Sequence, residues 1–160
     1  MASKKPLGTV TRGSTNPNRL RRVDRFLATL PILRSESPIV VDLGFGASPI
    51  TAVELLDRLQ RINTDVHVVG IEIERERVER GLAVAHDHLH FMHGGFETPL
   101  PSQFSNRRAS VIRAFNVLRQ YDEGEVAAAW SQMQSRLDDD GVLIEGTCDE
   151  IGRLSTWVTL

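Results

Sequence analysis

The sequence predicts an α/β domain with a mainly parallel sheet and helices on both faces of that sheet. Short apolar runs rich in valine and isoleucine alternate with stretches in which apolar residues recur at helical spacing. Such alternation is typical of strand–helix–strand units, whose strands run parallel. The chain has 160 residues, of which 41% are hydrophobic and 25% charged, so it is long enough for one such domain with a normal core.

The composition favours a protein of the cytosol. The sequence lacks an apolar run of about 18 residues, the length of a membrane span. Its N-terminus, Met1-Ala2-Ser3-Lys4-Lys5, lacks the apolar region of a signal peptide. The single cysteine, Cys148, excludes an internal disulfide and suits a reducing compartment. We therefore expect a cytoplasmic protein without a membrane partner.

Residues 1–38 form a basic segment. They hold eight Lys or Arg against two acids, so the segment carries a charge of +6 and the remainder of the chain −8. Such a segment either contacts nucleic acid or forms a solvated helix face. Its only aromatic residue is Phe26, and it lacks the interleaved aromatic side chains that stack on bases. The solvated face is the preferred interpretation.

The first residues of this segment differ from the rest. Residues 1–15 show no apolar period, so they are expected to be mobile unless a ligand orders them. Pro17 suits the first position of a helix capped by Thr15 or Asn16, which predicts a helix over residues 16–30. Residues 16–160 then form a single domain. The apolar face of the helix comprises Leu20, Val23, Phe26, Leu27 and Leu30.

The rest of the chain is organised around residues 39–59. A β-branched run ends in Asp42, and Gly44 and Gly46 follow before a helical pattern over 51–59. Because glycine has no Cβ, the backbone of this turn can approach a ligand closely, and the start of the helix offers unpaired N–H groups. The sequence therefore predicts a nucleotide-like ligand at this turn.

The residues around the two glycines narrow the choice of ligand. A dinucleotide-binding turn carries a third glycine at the position that Pro49 holds here. Asp42, directly before the turn, suits a cationic ligand better than a pyrophosphate. A NAD-dependent oxidoreductase is therefore a less favoured alternative.

The sequence Val41-Asp42-Leu43-Gly44-Phe45-Gly46 resembles the first motif of class I methyltransferases that use S-adenosylmethionine (SAM). The resemblance implies a Rossmann-like sheet and methyl transfer from SAM, with this turn against the methionine part of the cofactor. It covers residues 39 to about 150, strongly in the first two motifs and weakly after them. The cofactor contacts that it implies at this turn are Asp42, Gly44, Phe45 and Gly46.

Further cofactor contacts follow at the ends of the next two strands. The second apolar strand ends in Glu72, and in nucleotide-binding units such an acid accepts hydrogen bonds from ribose hydroxyls. The resemblance assigns this role to Glu72, with Ile73 beside it, and Glu74 is the nearby alternative. It also places Gly95 and Phe96 against the adenine. Members of the family often have Asp where Gly95 stands, so the backbone or the ring of Phe96 is expected to serve instead.

A histidine cluster precedes the third strand, which is expected near residues 90–93. In the cluster, His86, His88 and His90 alternate, and they would share one face of a strand, an arrangement compatible with metal binding. The cluster, which ends at His93, lacks a thiolate and a helical pair of histidines. A surface loop that enters the third strand is the preferred interpretation, and no metal is expected.

The fourth strand, from Ala109, runs into Asn116-Val117-Leu118. The resemblance makes Asn116 a cofactor contact, because this place corresponds to the loose fourth motif of the family. The sequence lacks both the Asn-Pro-Pro-Tyr type motif of amino-group methylases and the acid of aminopropyl transferases. A helix over 123–137 and a fifth strand over 142–145 are expected to follow.

Cys148 follows the fifth strand in the pair Thr147-Cys148. This pair resembles the place where RNA cytosine-5 methylases carry a nucleophilic cysteine. The partner motif of that family, an Asp with Pro-Cys, is absent, and the neighbouring acids Asp149 and Glu150 disfavour a thiolate. A structural cysteine is preferred. Methyl transfer needs mainly an acceptor held in line with the methyl group, so no catalytic residue is nominated.

The function implied by the resemblance is methyl transfer from SAM to a small molecule or an RNA. The alternative is a non-catalytic SAM-binding module or a fragment. The N-terminal helix of family members often lies beside the cofactor, which makes Arg12, Asn16 and Arg19 candidate contacts.

The last residues of the sequence indicate how many strands the sheet contains. Residues 155–160 are β-rich and predict a sixth strand, whereas a complete sheet of the family has seven. The sixth strand either folds back antiparallel beside the fifth or pairs with a segment beyond residue 160. Because both arrangements leave an apolar strand at an edge, we expect a homo-oligomer through the C-terminal edge or a chain that is a fragment.

Overall fold

The computed structural model describes residues 5–160, and within them it shows one six-stranded sheet. The strands lie in the order β3-β2-β1-β4-β5-β6. The first five pair in parallel, and β6 runs antiparallel to β5. This architecture confirms the predicted α/β class with a mainly parallel sheet. The strands are β1 (Ile39–Leu43), β2 (His67–Glu72), β3 (Leu89–His93), β4 (Ala109–Phe115), β5 (Leu137–Cys148) and β6 (Ser155–Thr159).

Helices cover both faces of the sheet. Successive residues of a strand point to opposite faces, so Val40 packs under the first three helices and Val41 under the fourth. The helix after β1 buries residues at helical spacing, among them Ala52, Leu55 and Leu59. The helices are α1 (Arg21–Leu27), α2 (Ile50–Leu59), α3 (Arg75–Leu82) and α4 (Glu123–Gln134), with short 3-10 turns at Pro31–Arg34, Ser102–Phe104 and Leu118–Gln120.

Helix α1 is shorter than the expected range of 16–30. Asn18 has a φ of 60°, a left-handed conformation that cannot belong to a right-handed helix. Its backbone N–H donates to the Glu54 carboxylate at 2.8 Å, and its side-chain oxygen accepts from Arg58 at 2.8 Å. Contacts with α2 therefore hold Asn18 outside the helix, and α1 begins three residues later.

Strand β5 is longer than the expected range of 142–145. Its pairing with β4 begins at Leu137 opposite Ala109 and resumes at Val142 opposite Val111. The acidic run 138–140 therefore lies in an irregular part of the strand, a bulge rather than a free turn. Because β5 begins at Leu137, α4 ends at Gln134 instead of continuing to residue 137.

Strand β6 folds back antiparallel beside β5, which is the first of the two expected arrangements. Their pairing runs from Ile144 opposite Thr159 to Cys148 opposite Ser155. Within residues 5–160, β6 is one edge of the sheet and β3 the other. Across the same range, no helix has both the length and the apolar character needed to cross a bilayer.

Candidate functional site

The candidate site lies where the strand order reverses. From β1 the chain builds one side of the sheet through β2 and β3, and from β4 it builds the other side through β5. The loops after β1 and β4 therefore lead to opposite sides and leave a crevice at the carboxyl ends of the strands. A cavity of about 300 Å³ lies in this crevice, which is near the lower end of small-molecule sites, about 300–1,000 Å³.

The two glycines of the turn after β1 have left-handed backbone conformations, which glycine adopts without strain. Gly44 has a φ of 70° and Gly46 a φ of 87°, both in the left-handed region. A Cβ on Gly44 would lie 2.6 Å from Val117, and one on Gly46 would lie 2.6 Å from the carbonyl oxygen of Gly13. Phe45, between them, is buried and packs edge-on against Phe91 at 5.2 Å between ring centroids. The turn is thus anchored to the core while its glycines line the cavity.

Asp42 lines the cavity, but its charge is already balanced within the protein. Its carboxylate accepts a hydrogen bond from the Thr51 hydroxyl at 2.8 Å and lies 2.9 Å from the Arg113 guanidinium. The sequence suggested that Asp42 suits a cationic ligand. The structure instead gives it a cation from β4, and its contacts fix the end of β1 to the first turn of α2.

Arg113 joins Asp42 to a second buried acid, Asp24 of α1, with which it forms an ion pair. Burial opposes the charge of Arg113, but the two carboxylates outweigh that effect and raise its pKa. Burial also raises the pKa of Asp24, although Arg113 and Arg58 act in the opposite direction. Sequence reasoning missed Arg113, and the signal that marks it is a charged residue inside a strand whose other residues are nearly all apolar.

Glu72, at the end of β2, is buried and touches the glycine turn directly. Its Oε2 accepts from the Gly46 N–H at 3.0 Å and lies 3.4 Å from Nη1 of Arg77. Its Oε1 accepts from the Ile73 N–H at 2.8 Å and lies 3.4 Å from the Glu74 nitrogen. Glu74 is more exposed and pairs with Arg77 at 2.6 Å. Of the two candidate acids, Glu72 is therefore the one that contacts the turn.

Gly95 and Phe96 lie beside Glu72, beyond the end of β3. With Ile73 they line a second, much smaller cavity of about 20 Å³, which Gly44 and Glu72 also line. The ring of Phe96 packs against Tyr121 at 5.2 Å between centroids. The structure thus brings the residues predicted at the ends of three strands to one continuous crevice.

Asn116 and Cys148 close the crevice on the side of β5. Asn116 has a φ of 61°, a left-handed conformation that asparagine tolerates. Its Oδ1 accepts from the Cys148 N–H at 2.9 Å and from the Thr147 hydroxyl at 3.0 Å, and its Nδ2 donates to the Cys148 sulfur at 3.3 Å. Asn116 therefore ties the end of β4 to the end of β5. Cys148 is buried, and its thiol lies within this contact.

Of the three N-terminal candidates, Arg19 is the most enclosed. It is 3% exposed and lines the larger cavity. Its guanidinium donates to the carbonyl oxygens of Asp149 at 3.0 Å and Ser14 at 2.6 Å. Within residues 5–160 it forms no ion pair with a carboxylate. Arg12 is exposed at the rim, and Asn16 donates to a loop carbonyl at 3.0 Å without lining the cavity.

Apart from His93, the histidines lie near the amino ends of β2 and β3, whereas this site lies at the carboxyl ends. His67 of β2 stacks on His88 at 4.6 Å between centroids, and its Nδ1 lies 3.3 Å from Nε2 of His90. His86 precedes β3, and His93, at the far end of that strand, contacts the carbonyl of Ile73. Among the residues that the structure describes, no group of three or more His, Cys, Asp or Glu side chains is arranged to hold a metal ion.

This chain is similar to known proteins in its fold. No protein-family model matches the sequence, and no curated protein matches it significantly. Solved structures do match, among them magnesium protoporphyrin IX methyltransferase from Synechocystis PCC 6803 with bound SAH (TM-score 0.59, 18% identity, 81% of this chain and 54% of that chain). Human N-acetylserotonin methyltransferase in complex with SAM matches with a TM-score of 0.57 and 18% identity over 84% of this chain and 37% of that chain.

A third match has a different kind of substrate in its name. The glycopeptide N-methyltransferase MtfA has a TM-score of 0.59 and 14% identity over 86% of this chain and 56% of that chain. The chain thus spans about half the length, or less, of these solved structures. Their shared feature is the fold, and this chain has the Rossmann-like fold of class I SAM-dependent methyltransferases.

Proposed function

We propose that this chain binds SAM in the crevice between β1 and β4 and transfers the methyl group to an acceptor. The observation that carries the proposal is the hydrogen bond of 3.0 Å between the Gly46 N–H and the Glu72 carboxylate. It joins a left-handed glycine turn to an acid at the end of the next strand, the two elements that a nucleoside ligand needs side by side. The fold shared with SAM-dependent methyltransferases supports the choice of SAM.

The environment of Arg19 supports an anionic group in the same ligand. Burying a cation without a counter-charge is unfavourable, because the lost hydration is not replaced. Arg19 is nearly fully buried, has only carbonyl oxygens as partners within residues 5–160, and faces the larger cavity. The carboxylate of the methionine part of SAM is a suitable partner for it. The adenosine part then extends toward Glu72 and Phe96.

The chemistry needs orientation more than acid or base groups. A sulfonium is a strong leaving group, and an acceptor held in line with the methyl group gains most of its rate from proximity. Asn116 and Cys148 line the wall of the cavity on the β5 side, and the Asn116 side chain is engaged in holding that wall. The acceptor is a small molecule or an RNA. We assign no catalytic base to this chain.

Calorimetry with purified protein tests the cofactor. We expect SAH, the demethylated product of SAM, to bind and NAD not to bind. Glu72→Ala removes the proposed ribose acceptor and should weaken SAH binding by about 1.5 to 3 kcal/mol, roughly 10- to 150-fold, the range for hydrogen bonds to charged groups. Glu76→Ala is the matched control, because Glu76 is exposed on α3 and its only ion pair among residues 5–160 is with Arg80 at 3.9 Å.

Three results separate the alternatives. Unchanged SAH affinity in Glu72→Ala, with the loss appearing in Glu74→Ala, moves the ribose acceptor to Glu74. Tight binding of NAD without SAH binding refutes the proposal and favours an oxidoreductase. Incubation of the wild type with methyl-labelled SAM and cell extract decides between an enzyme and a non-catalytic module, because only an enzyme transfers label and loses that transfer in Glu72→Ala.

A further inference from the structure

Residues 7–14, here called the strap, lie across the loops at the carboxyl ends of β2 and β3. At its start, the Leu7 N–H donates to the Glu97 carboxylate at 2.8 Å, and the Leu7 carbonyl accepts from the Phe96 N–H at 2.9 Å. The Tyr121 hydroxyl accepts from the Thr9 N–H at 2.6 Å and donates to the Thr9 carbonyl at 3.0 Å. These four hydrogen bonds hold the strap above Phe96.

The close fit at Gly95 shows how near the strap lies to the crevice. A Cβ on Gly95 would lie 1.9 Å from the carbonyl oxygen of Leu7. A side chain at this position is therefore incompatible with the docked strap. The sequence suggested only that Gly95 replaces the adenine-binding acid of the family, and the structure fills the space beside it with the chain's own backbone.

The later part of the strap covers Glu72 through Arg77. Nη2 of Arg77 donates to the Thr11 carbonyl at 3.0 Å, while Nη1 of the same guanidinium lies 3.4 Å from the Glu72 carboxylate. The strap passes so close that a Cβ on Gly13 would lie 2.4 Å from Arg77. The Gly13 carbonyl also accepts from the Ala47 N–H at 2.8 Å, beside the glycine turn.

The strap thus bonds one of the two groups that the proposed function assigns to adenosine, and it meets the other only through Arg77 of α3. The Phe96 N–H is bonded to Leu7, and the Glu72 carboxylate is covered by Arg77. The cavity left between them is about 20 Å³, and since a site for one water molecule needs about 10–15 Å³, an adenine cannot enter it. The neighbouring half of the crevice keeps about 300 Å³.

We propose that the strap and the adenosine part of the cofactor compete for the same place, so that the strap must leave Phe96 and Glu72 before SAM binds. This inference rests on the proposed function. The strap has few apolar anchors, because Leu7 is 47% exposed and Val10 57% exposed. Its release therefore breaks hydrogen bonds but uncovers little apolar surface, which is typical of segments that open locally. The apparent affinity for SAM then equals the intrinsic affinity of the open form multiplied by the fraction of molecules whose strap is released.

The variant Gly8→Ala tests the competition without altering the site. Gly8 has a φ of 124° and lines neither cavity of the crevice, and a Cβ there would lie 2.9 Å from the Tyr121 hydroxyl oxygen. Alanine therefore disfavours the docked strap. We expect SAH to bind about fivefold or more tightly to Gly8→Ala, the ratio that modest backbone strain in the docked form produces. Gly124→Ala is the matched control, because a Cβ there meets nothing within 4 Å.

Hydrogen exchange of the full chain gives a second readout. In the absence of SAH, the amides of Leu7 and Thr9 should exchange slowly, and saturating SAH should make them exchange faster. Unchanged SAH affinity in Gly8→Ala, or equal or slower exchange of these amides when SAH is bound, overturns the strap inference and leaves the proposed function standing. If SAH binds neither the wild type nor Gly8→Ala, the proposed function itself is refuted, and the strap inference with it.

Discussion

Asp42 and Glu72 both lie near the carboxyl ends of neighbouring strands, but different donors hold them. Asp42 is bonded to a buried guanidinium and a hydroxyl at 2.8 to 3.1 Å. Glu72 is held mainly by backbone N–H groups, and its one cationic contact in the part of the chain that the structure describes, with Arg77, is long at 3.4 Å. Arg77 also pairs closely with Glu74. Glu72 is therefore the acid that can exchange a protein partner for a ligand hydroxyl, whereas Asp42 is committed to holding the turn.

Several arginines of the basic segment (residues 1–38) bond to other parts of the chain. Beside Arg19, Arg21 donates to the carbonyl of Ile151 at 2.8 Å, and Arg22 donates to the carbonyl of Gly152 at 3.2 Å. These arginines hold the loop between β5 and β6 against the N-terminal helix. The contacts favour a structural role for the segment over phosphate binding.

The histidine cluster predicts a dependence of stability on pH. Burial lowers the pKa of both His67 and His90, and the neighbouring histidines, with Arg107 near His67, add to the effect, whereas contacts with Asp65 and Asp87 oppose it. In the unfolded chain these imidazoles have the ordinary pKa of about 6.5. As the pH falls below that value, the unfolded chain binds protons that the folded protein does not, so stability is lost.

Urea unfolding of the wild type should therefore give a lower free energy of unfolding near pH 5.5 than near pH 7.5. His90→Gln should reduce this difference, because it removes one imidazole and the neighbour that repels a proton on His67. His86→Gln is the control, because His86 is exposed and is the weakest of the three histidines that lower the pKa of His90, so this variant should behave nearly as the wild type. Equal pH dependence in all three proteins would contradict the assignment.

At the scale of helices and strands, local sequence predicts best those elements whose residues all have the same kind of surroundings. Strands β1, β2 and β4 are buried on both faces, so a short and mostly apolar run is sufficient to predict each of them. The glycine turn is also predictable, because its left-handed residues are glycines. The boundaries that differ depend on contacts between distant residues: Asn18 is held outside α1 by α2, and the bulge in β5 is set by its register against β4.

The same distinction applies within the candidate site. Acids and glycines at strand ends could be predicted, because the carboxyl ends of parallel strands meet at one edge. The strap could not be predicted, because its hydrogen bonds are made by backbone groups whose partners, such as Tyr121 and Glu97, lie about 90 or more residues away. Arg113 could not be assigned a role either, because its two carboxylates belong to other elements.

The buried ion pairs of Arg113 connect α1, β1 and β4. We therefore expect Arg113→Met to lower the free energy of unfolding strongly. Arg113 and Asp24 are both 0% exposed at their side chains, so removing the guanidinium leaves Asp24 and Asp42 short of a buried counter-charge. Loss of one partner of such a pair costs about 3–5 kcal/mol. Urea unfolding should show a loss of that size.

The control for this prediction is Arg58→Met, the same chemical change at the other cation that contacts Asp24. The Arg58 side chain is 20% exposed, so water partly replaces its contact. Its loss should cost clearly less than that of Arg113, about 1 kcal/mol for a pair near the surface. Equal losses of unfolding free energy in the two variants would show that the greater burial of Arg113 does not make its ion pairs more stabilising than that of Arg58.

At the scale of the whole molecule, the two sides of β6 differ. Trp157 points inward and packs near Phe26 and Phe115, with ring centroids 5.5 and 6.2 Å away. The opposite face and the preceding loop expose apolar side chains, namely Ile151, Leu154, Val158 and Leu160. Within residues 5–160 no strand pairs with the outer edge of β6. Unpaired backbone groups beside apolar side chains are the features through which edge strands recruit another chain.

We therefore expect this chain to self-associate through β6, with two copies of the strand side by side. Light scattering should show a molecular mass that rises with concentration, and Val158→Lys should reduce that rise, because a charge on an edge strand opposes pairing. Leu82→Lys is the control, since Leu82 is an equally apolar, 55% exposed residue on α3, away from this edge. A molecular mass that stays at the monomer value over the whole concentration range would contradict the expectation, because the unpaired edge of β6 would then recruit no second copy.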